Sequence, residues 1–434
     1  MKNKNRNSVF ARLSGIRTLL FISIFGASLL AVSCDFEVTN PGPVQDQFLD
    51  EPEAAEAIVN GIARNLADAL SWIGYRSGAV SREIHPSGST FSFGISPRAQ
   101  VGLLPEDETD VYWDFGQRAR WSGDHAIERL QETLSEEAIN ESELIAQAYL
   151  WQGYSYRLMG ENFCQAVLDG GSAESYTAFL DRAEIAFTNA LNQAESIDET
   201  QLALAATAGR ASVRRYLGDW NGAVSDAEQI PEDFSYGMPY NQVEQDQRNR
   251  IFEASADNPY RAHTVWQTYY EEYYEEYEDP RTPWGLDEDR PVGDAAVGDL
   301  GNVPWFFQLK YEGPTDPIEL SSGQEMILIR AEAELVEGNW QVAMGLINSL
   351  RTEVGVEEWD ANNEEEAWTF LKRERGIELW LEARRLGDLR LWDENNIPGD
   401  LHPLEEFGGE LPLNPDRDLC FPIPESELET NPNL

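Results

Sequence analysis

The sequence predicts a mostly α-helical protein, built from antiparallel helical hairpins and interrupted by long loop-rich insertions. Apolar residues recur at spacings of three and four, five such segments follow one another between residues 111 and 230, and a twelve-residue alanine spacing occurs twice. The 434 residues are 41% hydrophobic and 25% charged, which is typical of a folded chain. We therefore expect a helical body rather than a disordered protein.

The first element is an export signal. Residues 1–33 contain five basic residues and no acidic one, and an apolar run extends from Leu19 to Val32. This run is too short to span a membrane comfortably and ends in small residues directly before Cys34, as in a bacterial lipobox. Ala31 stands where a lipobox usually has Leu. We interpret 1–33 as a lipoprotein signal peptide and Cys34 as the lipidated residue; a membrane-anchor helix is the alternative.

The charge excludes a nucleic-acid partner bound through a basic face. The chain has 32 Lys and Arg against 78 Asp and Glu, a formal net charge of −46. Without the five basic residues of 1–33, the remaining 401 residues carry −51. Because salt screens the self-repulsion of such a surface, we interpret the acidity as halophilic adaptation, a fit to a salty habitat.

Helical periodicity defines the body of the protein. Residues 50–72 predict a helix, and residues 73–108 an irregular excursion rich in Gly, Ser and Pro. A second loop-rich block, 231–320, precedes helices at 323–350 and 364–392, and a Pro-rich stretch closes the chain. Five further helices are predicted between the two irregular parts, at 111–135, 143–160, 176–196, 201–217 and 220–230.

Two units in this pattern resemble tetratricopeptide repeats. Ala211 and Ala223 flank one turn, and Ala331 and Ala343 flank the other. In such repeats small residues let two antiparallel helices pack closely, and a Gly near the turn ends the first helix. About a hundred residues separate the two units, so we do not expect a regular solenoid.

Four groups of motifs are distinctive in combination. They are Lys310-Tyr311 with Asp316–Ile318 and Glu325–Ala333, Glu374-Arg375 through Asp388-Leu389, Phe421–Pro424 with Asn431–Asn433, and Thr39–Pro41. Together these motifs resemble the SusD/RagB family of outer-membrane nutrient-uptake lipoproteins. Ala383 stands where this family commonly has Gly, a difference that bears on helix packing.

This resemblance implies a single SusD-like body over residues 34–434, with an N-terminal helical-hairpin part at 34–230 and a loop-rich and C-terminal helical part at 231–434. It also implies four tetratricopeptide-like hairpins and a lipid anchor in the outer membrane, with the protein facing the cell surface. Family members bind glycans or other nutrients and act as the lid of a SusC-like TonB-dependent transporter. They are not enzymes.

Patterns for catalysis or metal binding are missing from the sequence. There is no nucleophile elbow, no phosphate-binding glycine loop, and no zinc or EF-hand spacing. The carboxylates of Glu378 and Glu382 alternate with Arg375 and Arg385 at spacings of three and four, which predicts a charge stripe on one helix rather than an acid–base pair. We expect no enzymatic activity, no cofactor and no metal.

Candidate ligand-binding residues lie in the irregular segments. Sugar rings stack on aromatic side chains, and their hydroxyls need polar partners. Trp284 and Trp305 belong to the second block, and Tyr75 and Arg82 to the first excursion; the alternative is that such residues only pin loops to the body. The run Tyr269–Tyr277 has an aromatic face opposite a glutamate face, which favours the buried side of a helix.

Cys164 and Cys420 remain as a pair in an exported chain, so we predict a disulfide between the 143–160 helix and the Pro-rich stretch. Two buried free thiols are the alternative.

The leading hypothesis is a surface-exposed lipoprotein that binds a nutrient, in first place an oligosaccharide, and delivers it to a SusC-like transporter. The alternative is a tetratricopeptide-type scaffold in the bacterial envelope without a small ligand. A lipid-anchored glycosidase is a third and more distant hypothesis.

Overall fold

A computed structural model describes residues 49–244, 247–257 and 259–434 of the chain. Leu49–Leu434 forms one compact unit. The predictions for the signal peptide, for Cys34 and for the Thr39–Pro41 motif concern residues that lie outside this described part.

Helices dominate the described residues. In chain order they are α1 (Ala55–Val80), α2 (Pro97–Gln100), α3 (Asp110–Thr133), α4 (Glu136–Asn140), α5 (Glu143–Asn162), α6 (Thr177–Ser196), α7 (Thr200–Leu217), α8 (Trp220–Ala227), α9 (Arg250–Ser255), α10 (Tyr269–Tyr277), α11 (Gly323–Val336), α12 (Trp340–Glu353), α13 (Glu364–Glu378), α14 (Arg385–Glu394), α15 (Pro403–Glu406) and α16 (Glu425–Thr430). The predicted mostly α-helical class is confirmed.

The long helices pack as successive neighbours in two sets. In the first set α1 packs against α3 and α5, α5 against α6, α6 against α7, and α7 against α8. The second set consists of α11, α12 and α13, and α11 also packs against α7 and α8, which joins the two sets. This arrangement makes one continuous helical body from hairpins that are distant in sequence.

Small residues allow the close helix packing that the repeats predict. Gly153 of α5 and Gly209 of α7 both lie against the Phe187 ring of α6, where an added Cβ would come within 2.7 and 2.5 Å of ring atoms. Gly218 and Gly338 have φ angles of 75° and 81° and follow the ends of α7 and α11. Both tetratricopeptide-like units are therefore present as helix pairs.

Two predicted helix ranges were wrong. The helix at 50–72 starts later and continues to Val80, because Tyr75 and Val80 extend its buried face into the predicted excursion. The segment 364–392 is two helices, because Leu381 and Ala383 adopt left-handed φ angles of 60° and 63° between them. The segment 323–350 is also two helices, separated at Gly338, as the second tetratricopeptide-like unit predicts.

The break between α13 and α14 removes the predicted charge stripe. The stripe needs Arg375, Glu378, Glu382 and Arg385 to lie on one continuous helix, but the helix ends at Glu378 and the next begins at Arg385. Each of these four side chains instead forms an ion pair with a residue outside the stripe. The pairs are Arg375 with Asp388, Arg385 with Glu405, Glu378 with Arg281, and Glu382 with Lys310. Burial raises the pKa of Glu382 to about 7, so this carboxyl is not held ionised as the stripe implied.

Short antiparallel strand pairs fasten the loops to one another. The strands are β1 (His85–Pro86), β2 (Gln165–Ala166), β3 (Glu174–Ser175), β4 (Ser235–Met238), β5 (His263–Thr264), β6 (Trp284–Leu286), β7 (Phe306–Gln308) and β8 (Ile318–Ser322). They pair as β1–β5, β2–β3, β4–β8 and β6–β7. The β1–β5 pair joins the first excursion to the second loop-rich block, which brings the two candidate regions of the sequence together.

Three of the five tyrosines on the aromatic face of α10 are buried, as its pattern predicts. Tyr269, Tyr270 and Tyr273 are at most 7% exposed, and the Tyr270 ring stacks on Trp380 with centroids 5.0 Å apart. Tyr274 and Tyr277 are half-buried. On the opposite face most glutamates are exposed, and Glu271 is half-buried.

The C-terminal stretch is fastened to the end of α5. Cys164 and Cys420 form the predicted disulfide, with Cα atoms 5.1 Å apart. Backbone hydrogen bonds lie on either side of it, from Cys164 N to Phe421 O at 2.9 Å and from Phe421 N to Asn162 O at 2.8 Å.

No helix within residues 49–244, 247–257 and 259–434 is long and apolar enough to cross a membrane. The same residues contain no cluster of three or more His, Cys, Asp or Glu side chains arranged to hold a metal ion.

Candidate functional site

The β6–β7 hairpin carries the aromatic residues of the second loop-rich block. Its register places Trp284 opposite Gln308, Gly285 opposite Phe307, and Leu286 opposite Phe306. Gly285 is required here because the Phe307 ring lies directly over it; an added Cβ would come within 2.8 Å of that ring. The hairpin thus keeps its two faces distinct, and Trp284 and Phe306 lie on the same one.

Trp284 and Phe306 form a stacked pair at the protein surface. Their ring centroids are 4.6 Å apart with planes inclined by 17°, and both side chains are half-buried. The Tyr274 ring of α10 meets Trp284 edge-on with centroids 6.0 Å apart. We call these three rings the aromatic platform. Trp284 and Phe306 each cover one face of the other, and the part of the pair that stays exposed is an aromatic surface of the kind that binds an apolar sugar face.

Polar groups of α10 lie beside the platform. Trp284 Nε1 donates to the backbone carbonyl of Glu271 at 3.4 Å, which fixes the indole relative to the helix. The Glu271 carboxylate accepts a hydrogen bond from Gln267 N. Burial raises the pKa of Glu271 to about 7, and the nearby Glu275 and Glu272 carboxylates add to the shift. Glu271 can therefore exchange between a hydrogen-bond acceptor and a donor near neutral pH.

Exposed apolar side chains lie on both faces of the hairpin. Leu286 is opposite Phe306, on the face of the platform, and is 52% exposed. Leu309 is 36% exposed but lies on the other face with Phe307, because its Cδ1 is 3.3 Å from a Cβ added at Gly285. Leu286 therefore extends the apolar surface beside the platform, and Leu309 does not.

The structure places the other three sequence candidates inside the protein, and this corrects their interpretation as ligand contacts. Trp305 and Arg82 are each 1% exposed and Tyr75 is 0% exposed. A side chain without an open face cannot stack on a sugar in this conformation. The loop-pinning alternative describes these residues.

The same three residues nevertheless gather around His263 of β5, a residue that the sequence did not single out. Tyr75 Oη lies 2.9 Å from His263 Nδ1, and Trp305 Nε1 donates to the His263 carbonyl at 3.1 Å. The Arg82 charge acts on the His263 ring. Next to His263, the Thr264 hydroxyl accepts a hydrogen bond from Phe306 N at 2.8 Å, so this buried cluster supports the aromatic platform from behind.

A second concave surface lies between the two helix sets. It has a volume of about 350 Å³, and its aromatic wall consists of Tyr216, Trp220, Trp368 and Trp392. Trp368 and Trp392 are each only 3% exposed, and Trp392 Nε1 donates to Glu332 Oε1 at 3.0 Å. The rings in this cleft are thus mainly part of the core, in contrast to those of the aromatic platform.

Comparisons with known proteins identify the fold. Residues 324–434 match the sequence model of the SusD family. None of the curated proteins compared with this chain matches it. Among solved structures, a SusD superfamily protein from Bacteroides vulgatus superimposes with a TM-score of 0.61 at 15% identity, covering 89% of this chain and 98% of its own.

Two further structures are similar to the same extent. A SusD superfamily protein from Bacteroides thetaiotaomicron gives a TM-score of 0.62 at 15% identity, over 88% of this chain and 97% of its own. A SusD-like carbohydrate binding protein from Bacteroides vulgatus gives a TM-score of 0.62 at 16% identity, over 88% of this chain and 97% of its own. At such identities the similarity shows the fold.

Proposed function

We propose that this chain belongs to the SusD/RagB family, which the match of residues 324–434 and the fold support, and that it is a nutrient-binding lipoprotein of the outer membrane. In this proposal the protein binds an oligosaccharide and delivers it to a SusC-like TonB-dependent transporter. The observation that carries it is the half-buried Trp284–Phe306 stack in the second loop-rich block. One structure with the same fold is a carbohydrate binding protein, which supports the same class of ligand.

The charge of the protein narrows the ligand class. With 78 acidic residues and a net charge of −46, the surface repels polyanions when the salt concentration is low. The helix that flanks the aromatic platform, α10, carries Glu271, Glu272 and Glu275, so this repulsion of polyanions also applies at the proposed site. We therefore propose a neutral oligosaccharide rather than a uronate or a sulfated glycan.

Calorimetric titration of a panel of neutral and anionic oligosaccharides tests this proposal. Loss of one stacking ring should weaken binding by about 1–3 kcal/mol, so Trp284→Ala and Phe306→Ala should bind about 5-fold to 150-fold less tightly. Trp121→Ala is the matched control, because Trp121 is a 49% exposed tryptophan on α3, outside the loop-rich block. Equal affinity of wild type and Trp284→Ala would place the site elsewhere.

The proposed attachment is a lipid on Cys34, and the proposed partner is a transporter barrel. A lid that opens and closes during transport has to stay attached, so we propose a persistent interface of more than roughly 2,000 Å² in total. Like charges would repel when unscreened, so the complex should survive detergent extraction in high salt and weaken as salt is removed. Purification of the tagged protein in high salt without a barrel-sized partner would count against this part of the proposal.

The two helix sets also favour a second candidate, an envelope scaffold that binds other proteins through its tetratricopeptide-like pairs. Protease treatment of intact cells separates the candidates. A nutrient-binding lipoprotein at the cell surface should be cleaved, whereas a scaffold that faces the periplasm should be protected.

A further inference from the structure

Buried arginines of this protein are paired with carboxylates, with one exception. Eleven arginine side chains in the described residues are buried, and ten of them form an ion pair with Asp or Glu. Arg82 is the exception. In a chain with 78 acidic residues, a counter-ion from the protein itself would be easy to place, so its absence at a position that is 1% exposed needs a physical explanation.

The guanidinium of Arg82 is only partly hydrogen-bonded. Its Nη2 donates to the carbonyl oxygens of Gln100 at 3.0 Å and Leu411 at 3.1 Å. Its Nε and Nη1 are buried and have no partner in the described part of the chain. Burial and the Arg417 charge lower the pKa of Arg82 to about 9, so the group still carries its charge at neutral pH. Two donor nitrogens of Arg82 thus have no hydrogen-bond acceptor, and its positive charge has no counter-ion in the described residues.

The backbone at this residue is also strained. Arg82 has a φ angle of 66°, in the left-handed region that side chains with a Cβ rarely adopt. A strained backbone, a buried charge and unpaired donors at one residue together indicate a site that is completed by something other than the protein.

His263 is a further buried donor within range of the Arg82 charge. Burial, and then the Arg82 charge, lower the pKa of His263 to about 3, so the ring is neutral. When Tyr75 Oη donates to His263 Nδ1, the ring proton is on Nε2, and this atom is buried without a partner. His85 cannot supply such a donor. Its Nδ1 donates to the Pro86 carbonyl at 2.7 Å, so the proton of the neutral ring is on Nδ1, and the unpartnered Nε2 carries a lone pair.

We propose that Arg82 binds a small inorganic monovalent anion, of the size of chloride, inside the protein. Nε and Nη1 of Arg82 donate to the anion, and His263 Nε2–H is a further donor. The anion has to be small because Arg82 is 1% exposed and the Gln100 and Leu411 backbone carbonyls already occupy its Nη2. Water would satisfy the donors but would leave the guanidinium charge uncompensated.

The site would tie three distant segments together. Gln100 belongs to the first irregular excursion, Leu411 to the C-terminal part, and His263 to β5. Because Thr264 of β5 bonds to Phe306 of the aromatic platform, an anion at Arg82 would stabilise the loops that carry the platform. This inference does not depend on the identity of the ligand that the platform binds.

Thermal unfolding in sodium chloride and in sodium gluconate at equal ionic strength tests the proposal. For a cooperative unit of this size, each tenfold rise in free chloride above the dissociation constant should raise Tm by about 2 °C beyond the gluconate series. Arg82→Met should abolish this difference. Arg390→Met is the matched control, because Arg390 also donates to two backbone carbonyls, those of Phe163 and Gly160, and it should keep the chloride response.

Crystals of the wild-type protein grown in bromide provide a second readout that does not depend on the variant folding. We expect an anomalous peak within hydrogen-bond distance of Arg82 Nε and Nη1. Equal wild-type stability in chloride and gluconate, or bromide crystals with only water next to Arg82, would overturn the proposal.

Discussion

Replacing Asp388 should destabilise the protein more than any surface substitution, because this carboxylate joins two buried arginines. It accepts hydrogen bonds from Arg215 Nη1 at 2.7 Å and from Arg375 Nε at 3.0 Å, and it is 1% exposed. In the part of the chain that the structure describes, Arg375 has no other ion-pair partner, whereas Arg215 keeps its pair with Glu332. Asp388→Asn thus leaves about one buried positive charge uncompensated.

The expected loss in the free energy of unfolding follows from that one uncompensated charge. Removing one partner of a buried ion pair costs about 3–5 kcal/mol, because the remaining charge stays in a poorly solvated place. With an m-value of about 3 kcal/mol/M in urea, the unfolding midpoint should fall by roughly 1–1.7 M. Asp393→Asn is the matched control, because Asp393 lies on the same helix, α14, and is exposed; its midpoint should not change.

The effect should also depend on pH with a defined sign. The Arg215 and Arg375 charges hold the pKa of Asp388 below its ordinary value of 3.8, against the effect of burial. A lowered folded-state pKa stabilises the protein above pH 3.8, and this contribution is lost as the pH falls towards the folded-state value. The difference between wild type and Asp388→Asn should be constant from pH 5 to 8 and shrink below about pH 4. A difference under about 1 kcal/mol at pH 7 would refute the assignment of Asp388 as a necessary counter-ion.

Three further predictions concern the anchor, the disulfide and a buried carboxyl. Cys34→Ala should release the protein from membranes into the soluble fraction; continued membrane association would show that the lipid anchor is not on this residue. Thiol titration of the denatured, unreduced mature protein should find no free thiol at Cys164 or Cys420, and two free thiols would exclude the bond. Burial raises the pKa of Glu382 to about 7, although the Lys310 charge acts against this. The wild-type protein should therefore lose stability as the pH rises from 4.5 to 7, and Glu382→Gln should lose less over the same range. Equal losses would place the titrating group elsewhere.

Local periodicity was sufficient to predict most helices, because burial along one helix face leaves a repeating apolar pattern. The predictions failed where the chain turns without a local signal. Leu381 and Ala383 adopt left-handed angles that usually call for Gly, so nothing in the sequence marked the end of α13. Ala383 is also the position where the family commonly has Gly; its Cβ would lie 3.1 Å from a Cβ added at Gly74, so α1 needs a glycine opposite it.

Burial of single side chains could not be predicted, because it depends on distant partners. Tyr75 contacts His263 across 188 residues, and Arg82 contacts Leu411 across 329. Their segment looked like an open excursion because it is rich in Gly, Ser and Pro. Trp284 remained half-buried, and its three-residue strand pairs only with β7 in a two-stranded sheet. The sequence therefore located the loop-rich block that carries the candidate site, and the pairing of the strands decided which side chains face outward.

A crystal structure with the oligosaccharide that binds best in the calorimetric panel tests the central claim most directly. We predict electron density for a sugar ring stacked on the aromatic platform, with its apolar face against Trp284 or Phe306 and its hydroxyls towards Glu271 and Gln267. A sugar bound in the cleft lined by Trp220, or a protein that binds no oligosaccharide at all, would contradict the account.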